Sequence, residues 1–366
     1  MAAIARTFSL FLFLSLLGSA NADPLDLNAH MCRGYFFVPV TLNSETSTKT
    51  EEERTLYFLY DSGASLTYAD PDSIERVTGK RIEAEKRVRL TDGHIGDLNF
   101  NSLPTRTAEL DHLSIALGRE IDGVLAYDAF GQRLLTLDYA AETMSLAEGH
   151  LPRPNRKDIF STRGKDKRPW LSLKIGKKRR KILIDTGSTT TFALRNLYAY
   201  RMQATPVPIS AAVRWDRMES RSAGRLAGDA FIGKNKIETP IIESVPGTEL
   251  LGGSILKHFR VTFDVGKKRV RLDPYEDQAI QVPPERGWGL FLRPVKDGLK
   301  IEKVLPNGPS AKTDLAANDV ITHVNGVPIR ERNCASLEGQ LSAQITRRRG
   351  DESATVTIDF TVPLVN

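Results

Sequence analysis

The sequence predicts a mainly β protein with two similar β lobes and a small α+β domain at its C-terminal end. Three observations carry this prediction. A long block of sequence occurs twice along the chain. Within each copy, short apolar runs are separated by turns rich in glycine, proline and aspartate, which is typical of short strands. Pro283 and Pro284 then precede a segment with its own set of alternating strands.

The repeat is clearest where each copy places an aspartate on a tight turn. Residues 56–65 read LYFLYDSGAS, and residues 181–189 read KILIDTGST. In both, an apolar strand runs into Asp-Ser/Thr-Gly, so a carboxylate stands at the end of a rigid element. Such tripeptides are often only turns, and we interpret the Asp-Gly pairs at positions 92, 122 and 297 in that way. Context distinguishes Asp61 and Asp185 from these turns.

A second pair of matching segments follows the two aspartates at similar distances. Val124-Leu125-Ala126 follows Asp61, with Leu125 64 residues further on. Leu250-Leu251-Gly252 follows Asp185, with Leu251 66 residues further on. An alternating strand pattern closes each copy. A repeated lobe with one carboxylate in each half predicts an active site at the lobe interface, with pseudo-twofold symmetry.

These four motifs, in this order, resemble the two-lobed aspartic protease family over about residues 33–275. The two Asp-Ser/Thr-Gly triplets match the catalytic triplets of the family, and the apolar segments match those that pack beneath each catalytic loop. The short lobes are more similar to retroviral-type and bacterial single-chain relatives than to pepsin. The resemblance implies two aspartic-protease-like β lobes with a catalytic cleft between them. It also implies protein or peptide substrates bound in extended form, no cofactor and no metal.

The resemblance makes Asp61 and Asp185 the catalytic residues. Like charges so close cannot both ionise easily, so the pair shares one proton and activates a water between its members. Aspartic proteases are the standard example of this coupling. The residues that support the catalytic loops are, by the same resemblance, Ser62, Gly63, Thr186 and Gly187.

The sequence departs from the family at two places. Ala126 stands where the family usually has glycine, and its methyl group is either absorbed by a small backbone shift or displaces the first catalytic loop. No tyrosine lies between Arg87 and Leu103, where a pepsin-like flap would carry one. Because Asp-Gly suits a hairpin turn, we expect the tip of a substrate-binding flap at Asp92, Gly93 and His94.

The C-terminal segment resembles a PDZ domain over residues 286–361. Gly287, Trp288, Gly289 and Leu290 match the carboxylate-binding loop of that family. Successive backbone N–H groups in such a loop hold a terminal carboxylate, and the adjacent strand edge pairs with an extended peptide. We therefore expect a protein C-terminus as a partner of this domain. The alternative is that the domain packs on the two lobes and binds nothing.

The N-terminal segment is expected to be a signal peptide over residues 1–22. It has Arg6, a short apolar run and an Ala-x-Ala site before Asp23. The mature protein is then exported, periplasmic or secreted, and the alternative is an uncleaved anchor. Only Cys32 and Cys334 are present, and in an exported protein they form one disulfide or remain two unpaired thiols. The run is too short for a stable membrane span.

Composition argues against some classes of function. The 366 residues carry 51 Lys+Arg against 45 Asp+Glu, a modest basic excess. With an export signal, this favours no nucleic-acid partner. The six histidines show no metal-ligand spacing. The predicted domains are lobe 1 at 23–152, lobe 2 at 153–277 and the PDZ-like domain at 283–366.

Together these patterns predict an exported aspartic endopeptidase, with a PDZ-like domain that recruits substrates or regulates access. Asp61 and Asp185 in matched contexts carry this interpretation. A different class of function stays open. The chain is then a catalytically inactive peptide-binding adaptor or chaperone of the cell envelope. A dimer of a single-lobe enzyme is a weaker alternative, because both lobes already lie in one chain.

Overall fold

Short apolar and alternating runs form strands along the whole of the described chain. The computed structural model describes residues 23–43, 48–213, 218–333, 335 and 340–366. The prediction of a mainly β protein with two β lobes and a C-terminal domain is confirmed. The expected signal peptide at 1–22 lies outside the described residues. Within those ranges, no helix is both long and apolar enough to span a membrane.

Lobe 1 contains a seven-stranded sheet in the order β2-β3-β4-β8-β5-β7-β6, and β3 also pairs with β6. The apolar residues of β3 and β4 are almost all buried, so these strands form the centre of the lobe. The elements of the lobe are β1 (Leu25–Asp26), β2 (His30–Cys32), β3 (Tyr35–Leu42), β4 (Thr55–Asp61), β5 (Tyr68–Ala69), α1 (Pro71–Thr78), β6 (Arg87–Ile95), β7 (Leu98–Thr107), α2 (Asp111–Leu117), β8 (Gly123–Ala126), β9 (Leu134–Asp138) and β10 (Thr143–Ala147).

Lobe 2 repeats the central arrangement inside a larger, ten-stranded sheet. In both lobes the strand that leads to the aspartate pairs in parallel with the later apolar segment. The elements of the lobe are β11 (Ile159–Ser161), β12 (Trp170–Ile175), β13 (Lys178–Ile184), β14 (Phe192–Leu194), β15 (Val207–Val213), β16 (Met218–Arg225), β17 (Ala230–Ile232), β18 (Asn235–Glu238), β19 (Ile241–Ser244), β20 (Leu250–Leu251), α3 (Gly253–Leu256), β21 (Phe259–Asp264) and β22 (Arg269–Pro274).

A shared six-stranded sheet joins the two lobes. Its order is β1-β10-β9-β21-β22-β11, so β9 of lobe 1 pairs directly with β21 of lobe 2. Apolar side chains from both lobes merge into one buried cluster, which includes Leu135, Leu137 and Phe263. Burial of this apolar surface holds the lobes in one orientation. The lobe interface is therefore a continuous core on which a two-sided site can be built.

The C-terminal domain forms a separate sheet in the order β24-β25-β26-β28-β29, with β27 paired to β26. It has its own hydrophobic cluster, which includes Leu290, Ile301 and Ile345. The linker strand β23 (Ile280–Gln281) joins the sheet of lobe 2. The strands of the domain are β24 (Leu290–Val295), β25 (Gly298–Val304), β26 (Val320–Val324), β27 (Val327–Pro328), β28 (Ser342–Arg349) and β29 (Glu352–Asp359).

Candidate active site

The two aspartates occupy equivalent positions in the two lobes. Asp61 ends β4 and lies opposite Ala126 of β8 in a parallel ladder. Asp185 directly follows β13, whose last residue, Ile184, lies opposite Leu251 of β20 in a second parallel ladder. Buried apolar strands on both sides leave each carboxylate little freedom to move. The repeated sequence motifs therefore correspond to a repeated local structure.

A reciprocal hydrogen-bond network joins the two aspartate loops. The Ser62 hydroxyl donates to the carbonyl of Ile184 (2.8 Å) and accepts from the Thr186 N–H (3.1 Å). The Thr186 hydroxyl donates to the carbonyl of Tyr60 (3.1 Å) and accepts from the Ser62 N–H (2.9 Å). Both side chains are almost fully buried. Each hydroxyl thus satisfies two backbone groups of the opposite lobe and fixes the distance between the loops.

The glycines of the two triplets bring the carboxyl groups together at the lobe interface. A Cβ placed on Gly63 would lie 2.7 Å from Cγ of Asp185, and one on Gly187 would lie 2.4 Å from Cγ of Asp61. Each carboxylate therefore rests against the triplet of the other lobe. Oδ1 of Asp61 accepts from the Gly63 N–H (2.7 Å), and Oδ1 of Asp185 accepts from the Gly187 N–H (3.0 Å). The arrangement is close to twofold symmetric.

The departure at Ala126 leaves the hydrogen bonds of the Asp61 loop in place. Its backbone N–H donates to the hydroxyl of Thr67 (3.1 Å). The equivalent Gly252 instead donates to the carbonyl of Thr191, and a Cβ there would lie 2.5 Å from the carbonyl of Thr190. The N–H at this position thus has a side-chain acceptor in lobe 1 and a backbone acceptor in lobe 2. The Ser62–Thr186 network retains its twofold form.

A cleft of about 670 Å³ surrounds the aspartates. Its apolar lining comes from both lobes. Within lobe 1, helix α2 contributes a part of this lining that the sequence did not predict. The spacing of Leu110, Leu113 and Leu117 is the signal that could have revealed an apolar helix face. The residues that line the cleft include Arg33, Tyr35, Asp61, Ala64, Leu113, Ala116, Leu117, Arg168, Asp185, Ser188, Thr189, Ser210, Arg221 and Thr248.

Arg168 of lobe 2 supports the Asp61 loop of lobe 1. Its Nη1 donates to the carbonyl of Gly63 (2.9 Å), and its guanidinium pairs with Asp166 at 2.7 Å. Burial alone would raise the pKa of Asp166, but hydrogen bonds from Arg168 and Trp170 bring it below its ordinary value. The carboxylate therefore stays ionised and holds Arg168 in position. This positioning residue was not predicted, because its contact crosses 105 residues of sequence.

Tyr35 is a second cleft residue that sequence reasoning missed. Burial raises the pKa of its hydroxyl, and a hydrogen bond with Thr189 opposes this rise. The phenol therefore remains protonated at neutral pH, so it can donate a hydrogen bond in the cleft. Tyr35 begins strand β3, and nothing in its local sequence distinguishes it from a core aromatic residue.

The expectation of a flap tip at Asp92, Gly93 and His94 is wrong. These residues lie inside β6, and the turn of the β6–β7 hairpin falls later, between Ile95 and Leu98. Gly93 and His94 also pair with β3 on the other side. A Cβ on Gly93 would lie 2.4 Å from the carbonyl of Thr41, so glycine serves close strand packing there. In the part of the chain that the structure describes, the β15–β16 hairpin of lobe 2 reaches the cleft through Ser210 and Arg221.

The predicted carboxylate loop lies directly before β24. Gly289 has φ of +70°, and a Cβ there would lie 2.5 Å from Cα of Gly308, so only glycine fits. The Trp288 carbonyl accepts from the Ser310 hydroxyl (2.6 Å), which fixes the loop on the next turn. Within the described ranges, the backbone N–H groups of Trp288 and Gly289 donate no hydrogen bond. Their availability suits an anionic ligand.

The structure bears on the disulfide expectation only at Cys32. Cys32 is fully buried and disulfide-bonded, and its expected partner, Cys334, lies outside the described residues. Among the residues described, no group of three or more His, Cys, Asp or Glu side chains is arranged to hold a metal ion.

The comparisons with known proteins bear on the C-terminal domain. Residues 278–341 match the PDZ domain family. Comparison with curated proteins found no match. A PDZ domain binds peptides or protein C-termini, which gives this part of the chain a protein-interaction or regulatory role. The match does not extend to the two lobes, so a function for their cleft has to be argued from its residues.

Proposed function

We propose that the protein is an exported aspartic endopeptidase whose PDZ domain recruits substrates or regulates access. The observation that carries the proposal is the reciprocal Ser62–Thr186 network, which holds Asp61 and Asp185 at a twofold interface. A structural role alone would not require two carboxylates at the floor of an open cleft. Two carboxylates that face each other in one cleft are costly, because like charges repel, and such pairs are typical of sites that do chemistry.

The mechanism follows from the shared proton. The ionised carboxylate takes a proton from a water as the water oxygen attacks the scissile carbonyl carbon. The protonated carboxyl group gives its proton to the carbonyl oxygen, so a neutral tetrahedral diol forms. One carboxyl group then protonates the amide nitrogen, the C–N bond breaks, and a diol hydroxyl returns its proton to the other. No covalent enzyme intermediate forms, and the products are a carboxylic acid and an amine.

Substitution of each aspartate tests the mechanism. We expect Asp61→Asn and Asp185→Asn to lower kcat/KM by about 10²–10⁴-fold or more, because each removes the shared proton chemistry. The matched control is Asp128→Asn, an exposed aspartate outside the cleft. The assay is cleavage of an unfolded protein and of quenched peptides between pH 3 and 8, with circular dichroism to verify folding.

The same assay separates the proposal from the adaptor function. Near-wild-type activity in either asparagine variant, with contaminating proteases excluded, would remove the aspartic mechanism. The PDZ match covers the part of the chain with a recognised binding role, and it is compatible with an adaptor as well as with a protease. Wild-type protein that binds unfolded chains but cleaves none of them at any pH would support the adaptor.

A further inference from the structure

Helix α2 has two faces that contact different parts of the molecule. Leu113, Ala116 and Leu117 line the catalytic cleft. Ile115 belongs instead to the hydrophobic cluster of the C-terminal domain, with an exposed fraction of 2%. Residues three and four apart share a helix face. Leu113, Ala116 and Leu117 therefore form one face, and Ile115 lies on another. The helix is therefore a wall shared by the cleft and the PDZ domain.

Polar contacts fix the second face of α2 on the C-terminal domain. Asp111, in the first turn, forms a two-pronged ion pair with Arg330 at 2.7 and 2.9 Å. At the other end, the Asn333 N–H donates to the carbonyl of Gly118 (2.7 Å). A Cβ on Gly118 would lie 2.7 Å from the carbonyl of Ile329, so the two backbones are in close contact. The helix is thus docked along its whole length.

The docked helix lies beside the strand that a PDZ ligand would use. Among the described residues, strand β24 lies at the edge of its sheet and pairs with β25. Helix α2 and strand β15 both come within 8 Å of β24, measured between Cα atoms. An added peptide strand would lie about 4.8 Å from β24, in the space that these elements approach. A ligand strand at this edge and the docked helix would therefore lie close enough to compete for space.

We propose that a protein C-terminus and helix α2 compete for the β24 edge, so that ligand binding to the PDZ domain withdraws α2 and weakens substrate binding in the cleft. Withdrawal removes Ile115 from its cluster and carries Leu113, Ala116 and Leu117 out of the cleft wall. Coupling between two sites is reciprocal, so substrate in the cleft also weakens ligand binding. The second half of this proposal rests on the proposed protease function; the competition at β24 does not.

Charge reversal at an exposed position tests the competition without disturbing a core. We expect Asp111→Arg to repel Arg330, release α2 and tighten ligand binding by about 3- to 10-fold. The charge reversal removes one exposed ion pair and adds a repulsion of similar strength, so its effect is about twice that of the pair. The double variant Asp111→Arg/Arg330→Asp restores wild-type affinity. The matched control is Glu148→Arg, which breaks the exposed Arg133–Glu148 pair of lobe 1, away from the helix.

The probe is a pool of fluorescent decapeptides that end in a free carboxylate and vary in their last four residues. Fluorescence anisotropy with the full chain gives the affinity, and the same pool with amidated ends measures binding that does not involve the carboxylate. We expect Asp111→Arg to raise KM for a quenched peptide by a similar factor and to leave kcat unchanged. The free-carboxylate pool should also raise the KM of the wild type.

The outcomes separate the two proposals. If Asp111→Arg binds the pool no better than the wild type and Glu148→Arg, or if no variant prefers the free carboxylate, the competition is refuted. If affinity follows the charges but no variant hydrolyses peptides, the protease function fails and the competition stands. If affinity follows the charges and hydrolysis occurs with an unchanged KM, α2 does not couple the two sites.

Discussion

Replacement of Thr186 by valine tests whether the network between the aspartate loops holds the site together. Valine has nearly the shape of threonine, so the change leaves no cavity and removes only the hydroxyl. The Ser62 N–H then loses its acceptor in a fully buried position, which costs about 1–3 kcal/mol. The Tyr60 carbonyl loses one donor, for about 0.5–1 kcal/mol more. We expect a total loss of about 1.5–4 kcal/mol in the free energy of unfolding.

Activity should fall further than stability alone implies. Asp185 directly precedes the altered residue, and a displacement of about 1 Å in a catalytic group costs about 100-fold in rate. The matched control is Thr262→Val. Its hydroxyl forms a hydrogen bond with that of Thr136 across the same lobe interface, at 3.0 Å and away from the two aspartate loops. We expect that control to cost about 1 kcal/mol or less and to retain full kcat/KM.

The assay is urea denaturation, in which an unchanged m-value shows that only stability differs, together with kcat/KM on a quenched peptide. The reasoning is refuted if Thr186→Val and Thr262→Val lose equal stability and equal activity. In that case, the hydroxyl network would contribute no more than any other bond between the lobes. A loss of activity without a loss of stability would instead limit the role of Thr186 to positioning of Asp185.

Two further predictions concern the C-terminal part. Burial raises the pKa of Glu285 to about 7, the nearby Glu243 adds to this rise, and Arg221 opposes it. Because the unfolded pKa is 4.5, the wild type loses up to roughly 3 kcal/mol of stability as pH rises from about 4.5 to 7. In urea denaturation, the Glu285→Gln variant should lose less free energy of unfolding than the wild type between pH 5 and 8. An equal loss in the two proteins would contradict this. A chain without residues 283–366 should retain kcat on short peptides but raise KM, since Ile115 loses its cover. A folded truncated protein with no activity on any peptide would show that the domain is part of the active structure. An unchanged KM on peptides and proteins would contradict a role of the domain in substrate binding.

The sequence by itself determined the mainly β fold and the repeated aspartate segments. It could do so because these features are local. A strand pattern, a turn triplet and an apolar segment are each visible within a few residues, and their order repeats. The PDZ resemblance is local in the same sense, and the family match supports it. The catalytic roles of Asp61 and Asp185 stay predictions until their variants are measured.

Only the tertiary structure decided what surrounds the aspartates. The expectation of a flap tip at Asp92 was wrong because an Asp-Gly pair indicates only a local preference for a turn. Pairing with β3 keeps this segment inside a strand. The support of Gly63 by Arg168 spans two lobes, and the docking of Ile115 joins lobe 1 to the C-terminal domain. Such contacts depend on how whole sheets pack, since burial of apolar faces sets the orientation of the domains and no short segment encodes it.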